Sequence, residues 1–231
     1  MLDDGDPLTA ELLADPFRRA ARRLGVGIAG AATFDPESND HTAVVDAIAR
    51  ARPDGLVLAA DPFHGGKTML KALRARLGSR LPIMAHFLFG FVPYVLKGAG
   101  PAAKGVYVAS NDVSRSAAPL TPAAQRFVDD LGESVKQFLG VLEAGQAAEL
   151  VVRAIARSDG SRASVLRALR TSNVKDGLLG TFRFDRNGDS TAPLVPIMRI
   201  TGTTSPDADY PAMFRGSVLD RIVEVPASLV Q

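Results

Sequence analysis

The stretch DGLLGTFRFDRNGDSTAPLVPIMRI, residues 176–200, directs the reading of the whole chain. It holds one apolar run (180–185), a polar turn of Arg186, Asn187, Gly188 and Asp189, and a second apolar run (194–200). Asn-Gly between two apolar runs predicts a hairpin, because both residues tolerate positive φ. Directly upstream, residues 133–157 carry a long helical pattern. Ser158, Asp159 and Gly160 interrupt it, and 161–171 carry another.

The first half alternates between the two periodicities. Residues 7–24 are helical in character, with Asp15 and Pro16 as a cap and first-turn proline that kinks or restarts the helix. Residues 26–34 read as a strand and 35–40 as a polar loop. Residues 42–52 read as a helix with Val44, Val45, Ile48 and Ala49 on one face. The run GLVLAA (55–60) is continuously apolar, as in a strand of a sheet covered on both faces. Residues 65–77 read as a helix with Met69, Leu70 and Leu73 inward, and 81–85 as a strand. An aromatic segment follows at 87–96, then a strand at 105–109. Strands separated by helices imply parallel βαβ crossovers and a doubly wound parallel sheet. Residues 110–121 form a polar connector suited to crossing between lobes, and 122–131 read as a helix ended by Gly132. Residues 203–231, with Pro206, Pro211 and Pro226, read as an irregular tail.

At 231 residues the chain suffices for one large domain or two small ones. A net charge of +2 gives no reason to expect nucleic acid, which calls for a clustered basic face. The densest basic run, RRAARR at 18–23, reads as the solvated face of a helix. The absence of cysteine excludes disulfides, thiolate nucleophiles and Cys-ligated metals. The acidic start, Asp3 and Asp4, is unlike a signal peptide, and no apolar run reaches the length of a membrane span. A signal or anchor of a longer parent would lie outside this sequence.

Three motifs fail on context. Residues 25–30 fit G-x-G-x-x-G but follow a helix and open a strand, the reverse of a dinucleotide fingerprint. Gly66, Lys67 and Thr68 resemble the end of a P-loop, but the earlier glycine position is Asp61. Asp185–Asp189 lacks the ligand pattern of a calcium loop. His41, His64 and His86 form no H-x-x-x-H pair, and no serine sits in G-x-S-x-G. No cofactor or metal is implied.

The hairpin written G-x-F-x-FD-x-x-GD (180–189), the late helices, Asp3-Asp4-Gly5-Asp6, Asp54-Gly55-Leu56-Val57-Leu58, Gly105-Val106-Tyr107 and the helix start at Pro122 together resemble the type I periplasmic solute-binding proteins. These are the receptors of branched-chain amino acid ABC importers. The phrase AIARSDGSR (154–162) is similar to actinobacterial members, some of which are fused to regulators. The resemblance covers the chain to about Gly202 and implies only the C-terminal part of such a protein. On that basis residues 1–109 form the second-lobe α/β domain. Residues 110–175 are the helices that normally return to the first lobe, and 176–202 the hairpin and closing strand, ahead of the tail at 203–231. Without a first lobe, Phe127, Leu131, Val135, Phe138, Leu142, Leu150, Val151 and Ile155 are expected to expose apolar surface and to favour a homodimer.

Open α/β sheets bind ligands at the carboxyl ends of their strands. Three loops qualify, residues 5–8 after the first strand, 61–64 after GLVLAA and 86–89 after the next strand; within them the resemblance singles out Leu8, Phe63 and Phe87 as candidate ligand residues, with Asp61, His64 and His86 beside them. The resemblance implies aromatic hydroxyls near Leu8 and Phe63 and an acid at Phe87, which would pair an ammonium group. Their replacement here points to an apolar or aromatic ligand, with or without a carboxylate, and histidine as hydrogen-bond donor. The functional expectation is a non-catalytic solute-binding receptor domain, partnered by an ABC permease or a fused signalling module. Its parent would be extracytoplasmic as an importer component, or cytoplasmic if fused to a regulator. The alternatives are a regulatory or assembly domain that has lost its ligand, and an enzyme relying on His64, His86 and Asp61.

Overall fold

The computed structural model describes residues 1–110, 120–131, 140–191, 194–202 and 216–225. It divides into two compact units. The first comprises Met1–Ser110 with Ile197–Asp220, the second Asn111–Pro196 with Arg221–Gln231.

The first unit is built on a seven-stranded sheet of order β2-β1-β3-β4-β5-β8-β9. Its strands are β1 (Leu2–Asp3), β2 (Ala32–Thr33), β3 (Leu56–Ala59), β4 (Ile83–Ala85), β5 (Tyr107–Ala109), β8 (Leu194–Ile200) and β9 (Ser217–Glu224). β1 to β5 run parallel, with β1 between β2 and β3. The connecting helices are α1 (Asp15–Arg23), α2 (Thr42–Ala51), α3 (Lys67–Leu77) and α4 (Val92–Ala99). A helical turn, Pro7–Thr9, and a wider turn, Ala10–Ala14, precede α1, which restarts at Asp15 with Pro16 in its first turn, as the sequence predicts. Period 3.6 puts Met69, Leu70 and Leu73 inward on α3, all fully buried against Leu58, Phe89 and Val92.

The predicted strand at 26–34 shrinks to Ala32–Thr33. A strand is defined by its ladder, and β1 offers only Leu2 and Asp3 for pairing on that side. The predicted turn at 186–189 is present: Asp185 N–H donates to the Asp189 carbonyl (2.9 Å), and Phe184 bridges Ser190. The strands around it pair differently from the simplest hairpin. β7 (Gly180–Arg183) lies antiparallel to β6 (Asn173–Gly177), upstream of it. β8 instead pairs antiparallel with β5, Met198 opposite Val108. Pro196 lies just ahead of the paired residues of β8, as its missing N–H requires. The tail expected to be irregular contains β9. The run SVLDRIVE is rich in β-branched residues, and Thr201 fixes its entry by donating N–H (2.7 Å) and Oγ1 (2.9 Å) to the Gly216 carbonyl.

The second unit contains α5 (Pro122–Asp130), α6 (Val141–Ala156), α7 (Arg162–Arg170) and the β6–β7 pair. Thr121 Oγ1 caps α5 by accepting from Ala124 N (3.0 Å) and donates to the Gly177 carbonyl (3.0 Å). Leu150, Val174 and Phe182 form a small core with Leu169, Leu179 and Phe184 beside it. Leu142 and Leu150, expected to be exposed, are buried, and Leu150 packs in this small core. Phe127 and Leu131 are half-buried, and Val151, Val152, Ile155 and Leu166 remain exposed. Val135, Phe138 and most of the connector 110–121 lie outside the described residues.

Leu70→Ala, at a fully buried position of α3, is expected to cost about 2–5 kcal/mol. Urea unfolding with an unchanged m-value checks it.

Candidate functional site

The carboxyl ends of β1, β3 and β4 in the first unit carry Asp3 and Asp4, Ala60 and Asp61, and Ala85 and His86. Asp4 is 5% exposed. Its Oδ1 accepts from Asp6 N (3.3 Å) and its Oδ2 from Asp61 N (3.0 Å), so one carboxylate ties the first loop to the second. Asp3 Oδ1 accepts from Thr33 Oγ1 (2.8 Å) and Gly5 N (3.2 Å), tying the first loop to β2.

The second loop folds on itself. Asp61 Oδ1 accepts from Phe63 N (2.7 Å), and the Asp61 carbonyl from the amides of His64 (3.1 Å) and Gly66 (3.0 Å). Gly65 has φ +72°, and a Cβ there would stand 2.6 Å from Pro36 Cα, so this position needs glycine. The compact loop turns Phe63 outward, 49% exposed. Its ring stacks on Tyr94 (centroids 4.4 Å) and meets Phe91 edge-on (5.6 Å). Lys67 Nζ lies 3.3 Å from the Tyr94 centroid, a cation–π contact. His64 turns the other way, its Nε2 2.5 Å from Glu37 Oε1.

In the third loop His86 Nδ1 accepts from Leu88 N (3.3 Å). The neutral ring then carries its hydrogen on Nε2, a single donor. Burial pushes the His86 pKa below its ordinary value, while the Asp61 and Asp4 carboxylates act in the opposite direction. Phe87 is 46% exposed, its ring 4.4 Å from that of His86. Leu8 lies in the helical turn Pro7–Thr9, where Thr9 N donates to Asp6 Oδ1 (2.9 Å).

The candidate residues thus fall on three neighbouring loops. Asp61 acts within its own loop, His86 has one committed nitrogen, and Phe63 and Phe87 are presented outward. His64 is engaged by Glu37. Sequence reasoning missed Asp4, Glu37, Lys67 and Tyr94. Asp4 was legible only as part of a polar strand end, and Lys67 and Tyr94 come together from different helices. The failed motifs have local explanations. Lys67 covers an aromatic ring, and Asp185 Oδ1 accepts from Asn187 N (2.8 Å) and Asp189 N (2.9 Å) in its own turn. Residues 25–30 open no helix. Among the described residues no helix is long and apolar enough to cross a membrane.

Comparison with known proteins defines the class. The model of the periplasmic binding protein family matches residues 3–205, and the chain belongs to that family. Among solved structures, a leucine-binding protein of Thermotoga maritima is similar at 17% identity and TM-score 0.69, over 96% of this chain and 59% of that one. An ABC transporter substrate-binding protein from Sphaerobacter thermophilus is similar at 15% identity and TM-score 0.69, over 96% and 59%. The branched-chain amino acid transporter substrate-binding protein of Streptococcus pneumoniae, solved with isoleucine, is similar at 16% identity and TM-score 0.65, over 97% and 58%. These likenesses show the type I periplasmic-binding fold, and the chain spans about three fifths of the length of each structure. No curated protein sequence matches.

The depressed pKa of His86 has a signed consequence. Below its ordinary value of 6.5 the unfolded chain takes up a proton that the folded chain refuses. Stability therefore falls as pH drops from about 6.5 towards the folded pKa, and this group adds no pH dependence well above about 6.5. His86→Asn is expected to flatten that slope. Melting temperatures of both proteins from about pH 7.5 to about pH 5.5 check it; parallel curves would contradict it.

Proposed function

We propose that this chain is the ligand-binding second lobe of a non-catalytic solute receptor of the ABC-importer type. Its ligand is small and apolar or aromatic, with or without a carboxylate. The observation that carries this reading is the pair of outward aromatic rings, Phe63 and Phe87, beside the single His86 Nε2 donor. Loops anchored by their own hydrogen bonds present all three at the carboxyl ends of β3 and β4. Exposed aromatic rings held by a rigid base offer stacking surface at small entropic cost. The backbone amide partners of Asp4 and Asp61 keep those carboxylates in the loops, which suits an apolar ligand body better than an ammonium group. Asp61 and His64 shape the second loop. Family membership supports an extracytoplasmic parent served by a permease. The names of the Thermotoga and Streptococcus structures, which bind leucine and isoleucine, support an apolar ligand body.

The test is a thermal-shift screen with aromatic acids, branched-chain amino acids and their keto acids, on this chain alone and joined to an upstream lobe. A true ligand raises the melting temperature with dose, by about 2.7 kcal/mol of stabilisation at a hundredfold excess over Kd. Phe87→Ala is expected to weaken binding of that ligand at least about tenfold, a loss of about 1.4 kcal/mol. Unchanged affinity removes the site assignment, and no response from any compound removes the receptor reading.

The exposed Val151, Val152, Ile155 and Leu166 of α6 and α7 support a second partner surface, closed by a second copy of the chain when no other lobe covers it. Light scattering is expected to show a dimer that Val152→Glu with Ile155→Glu converts to monomer. A monomeric parent chain contradicts this.

A further inference from the structure

Lys67, the first residue of α3, reaches across to α4, where its Nζ lies 3.3 Å from the centroid of the Tyr94 ring. The side chain is half-buried, and among the described residues it pairs with no carboxylate. The ring face is what holds its ammonium group in place. Phe63 stacks on the same ring, with centroids 4.4 Å apart and planes 24° apart. Two groups this close to one centroid cannot share a face of the ring. Tyr94 is therefore sandwiched, with the ammonium group on one face and Phe63 on the other.

Gly98 makes this arrangement possible. It lies one turn after Tyr94 on the same face of α4. A Cβ there would stand 2.5 Å from Lys67 Cδ, 2.8 Å from Cε and 3.2 Å from Nζ. Glycine is less favourable than alanine within a helix, and the backbone at Gly98 has no positive φ that would call for it. The position is empty because the lysine stem passes through it. The stack also has an electrostatic logic. Aromatic faces are both negative, so two near-parallel rings repel unless they are offset. A cation on the far face of Tyr94 draws electron density away from the face that Phe63 covers, and so eases the contact.

We propose that Lys67 is a positioning residue of the ligand platform, with Gly98 as the gap that admits it. Lys67 acts through another side chain: the ammonium group holds Tyr94, Tyr94 holds Phe63, and Phe63, 49% exposed, meets the ligand. The Tyr94 ring stands between the ammonium group and Phe63, so the cation supports the platform from beneath. A ring fixed before binding loses less freedom when a ligand stacks on it, which is where the support gains affinity. The role in recognition rests on the reading of Phe63 as a ligand contact; the order of the stack does not.

The test reads the stack and the ligand separately, on the full chain. The chain has three tyrosines and no tryptophan, so ring-labelled tyrosine gives a simple carbon–proton spectrum in which the Tyr94 signal is the one lost in Tyr94→Phe. The Phe63 ring displaces that signal from the free-tyrosine position. Lys67→Met keeps the stem and removes the charge, and is expected to return the signal most of the way. Lys67→Arg is expected to keep it displaced, because a guanidinium also seats on a ring face. Gly98→Ala favours the helix but displaces the lysine stem, and is expected to match Lys67→Met, with the double variant going no further. Phenylpyruvate, an aromatic acid, is then titrated. Its affinity is expected to fall about fivefold in Lys67→Met and in Gly98→Ala and to survive in Lys67→Arg. An unmoved Tyr94 signal in Lys67→Met, an equal loss in Lys67→Arg, or full additivity of the two substitutions overturns the proposal. So does phenylpyruvate binding that Phe63→Ala weakens and Lys67→Met leaves unchanged. Binding that Phe63→Ala leaves unchanged counts against the ligand reading of Phe63, while the Tyr94 signal still decides what Lys67 does.

Discussion

The hydrogen bonds around Asp4 set the terms for the candidate site. A buried carboxylate is expensive unless hydrogen-bond donors replace its water. Here the replacements are backbone amides from two loops, Asp6 and Asp61. With Asp61 N fixed, the Asp61 side chain and carbonyl gather the amides of Phe63, His64 and Gly66 around it, and the Phe63 ring stands 49% exposed. The exposed ring is thus a consequence of polar accounting beneath it. A smaller anchor in the next loop acts similarly: His86 accepts from Leu88 and leaves Phe87 at the surface.

The same sheet is anchored at the carboxyl ends of its strands. At the carboxyl end, the short strand β1 is held by bridges to both neighbours and by the side chains of Asp3, its last residue, and Asp4, which follows it. β1 is central, and a central strand donates and accepts on two sides. Strands of a parallel sheet depend on neighbours for every ladder bond.

In the second unit, α6 is a helix with two apolar sides of different fate. Leu150, buried with Val174 and Phe182, belongs to a local core. Val152 and Ile155, 65% and 52% exposed, have no such cover. Gln146 shows how closely the β6–β7 pair fits the buried side. It is 2% exposed, its Oε1 accepts from Leu179 N (3.4 Å), and a Cβ on Gly177 would stand 2.3 Å from that oxygen.

Much of the architecture was legible in local pattern. Periodicity placed α2 and α3 and their inward residues, continuous apolarity placed β3, and Asn187-Gly188 placed the turn near the chain's end. Those signals are short-range: helix amphipathicity, proline and glycine stereochemistry and turn chemistry act within a few residues. The candidate loops followed from the rule that ligands meet the carboxyl ends of parallel strands, with Phe63 and Phe87 singled out in them by the family resemblance. Pairing was decided only in three dimensions. The pattern for residues 26–34 is strand-like, yet only Ala32 and Thr33 find a partner. The run 194–200 is a strand as read, but β5 claims it, and residues 217–224 become a strand beside it. The roles of Asp4, Lys67 and Tyr94 likewise came only from the tertiary structure. Their partners lie on distant segments, and hydrogen bonds, ring contacts and ladder rungs between such segments leave no periodic trace in sequence.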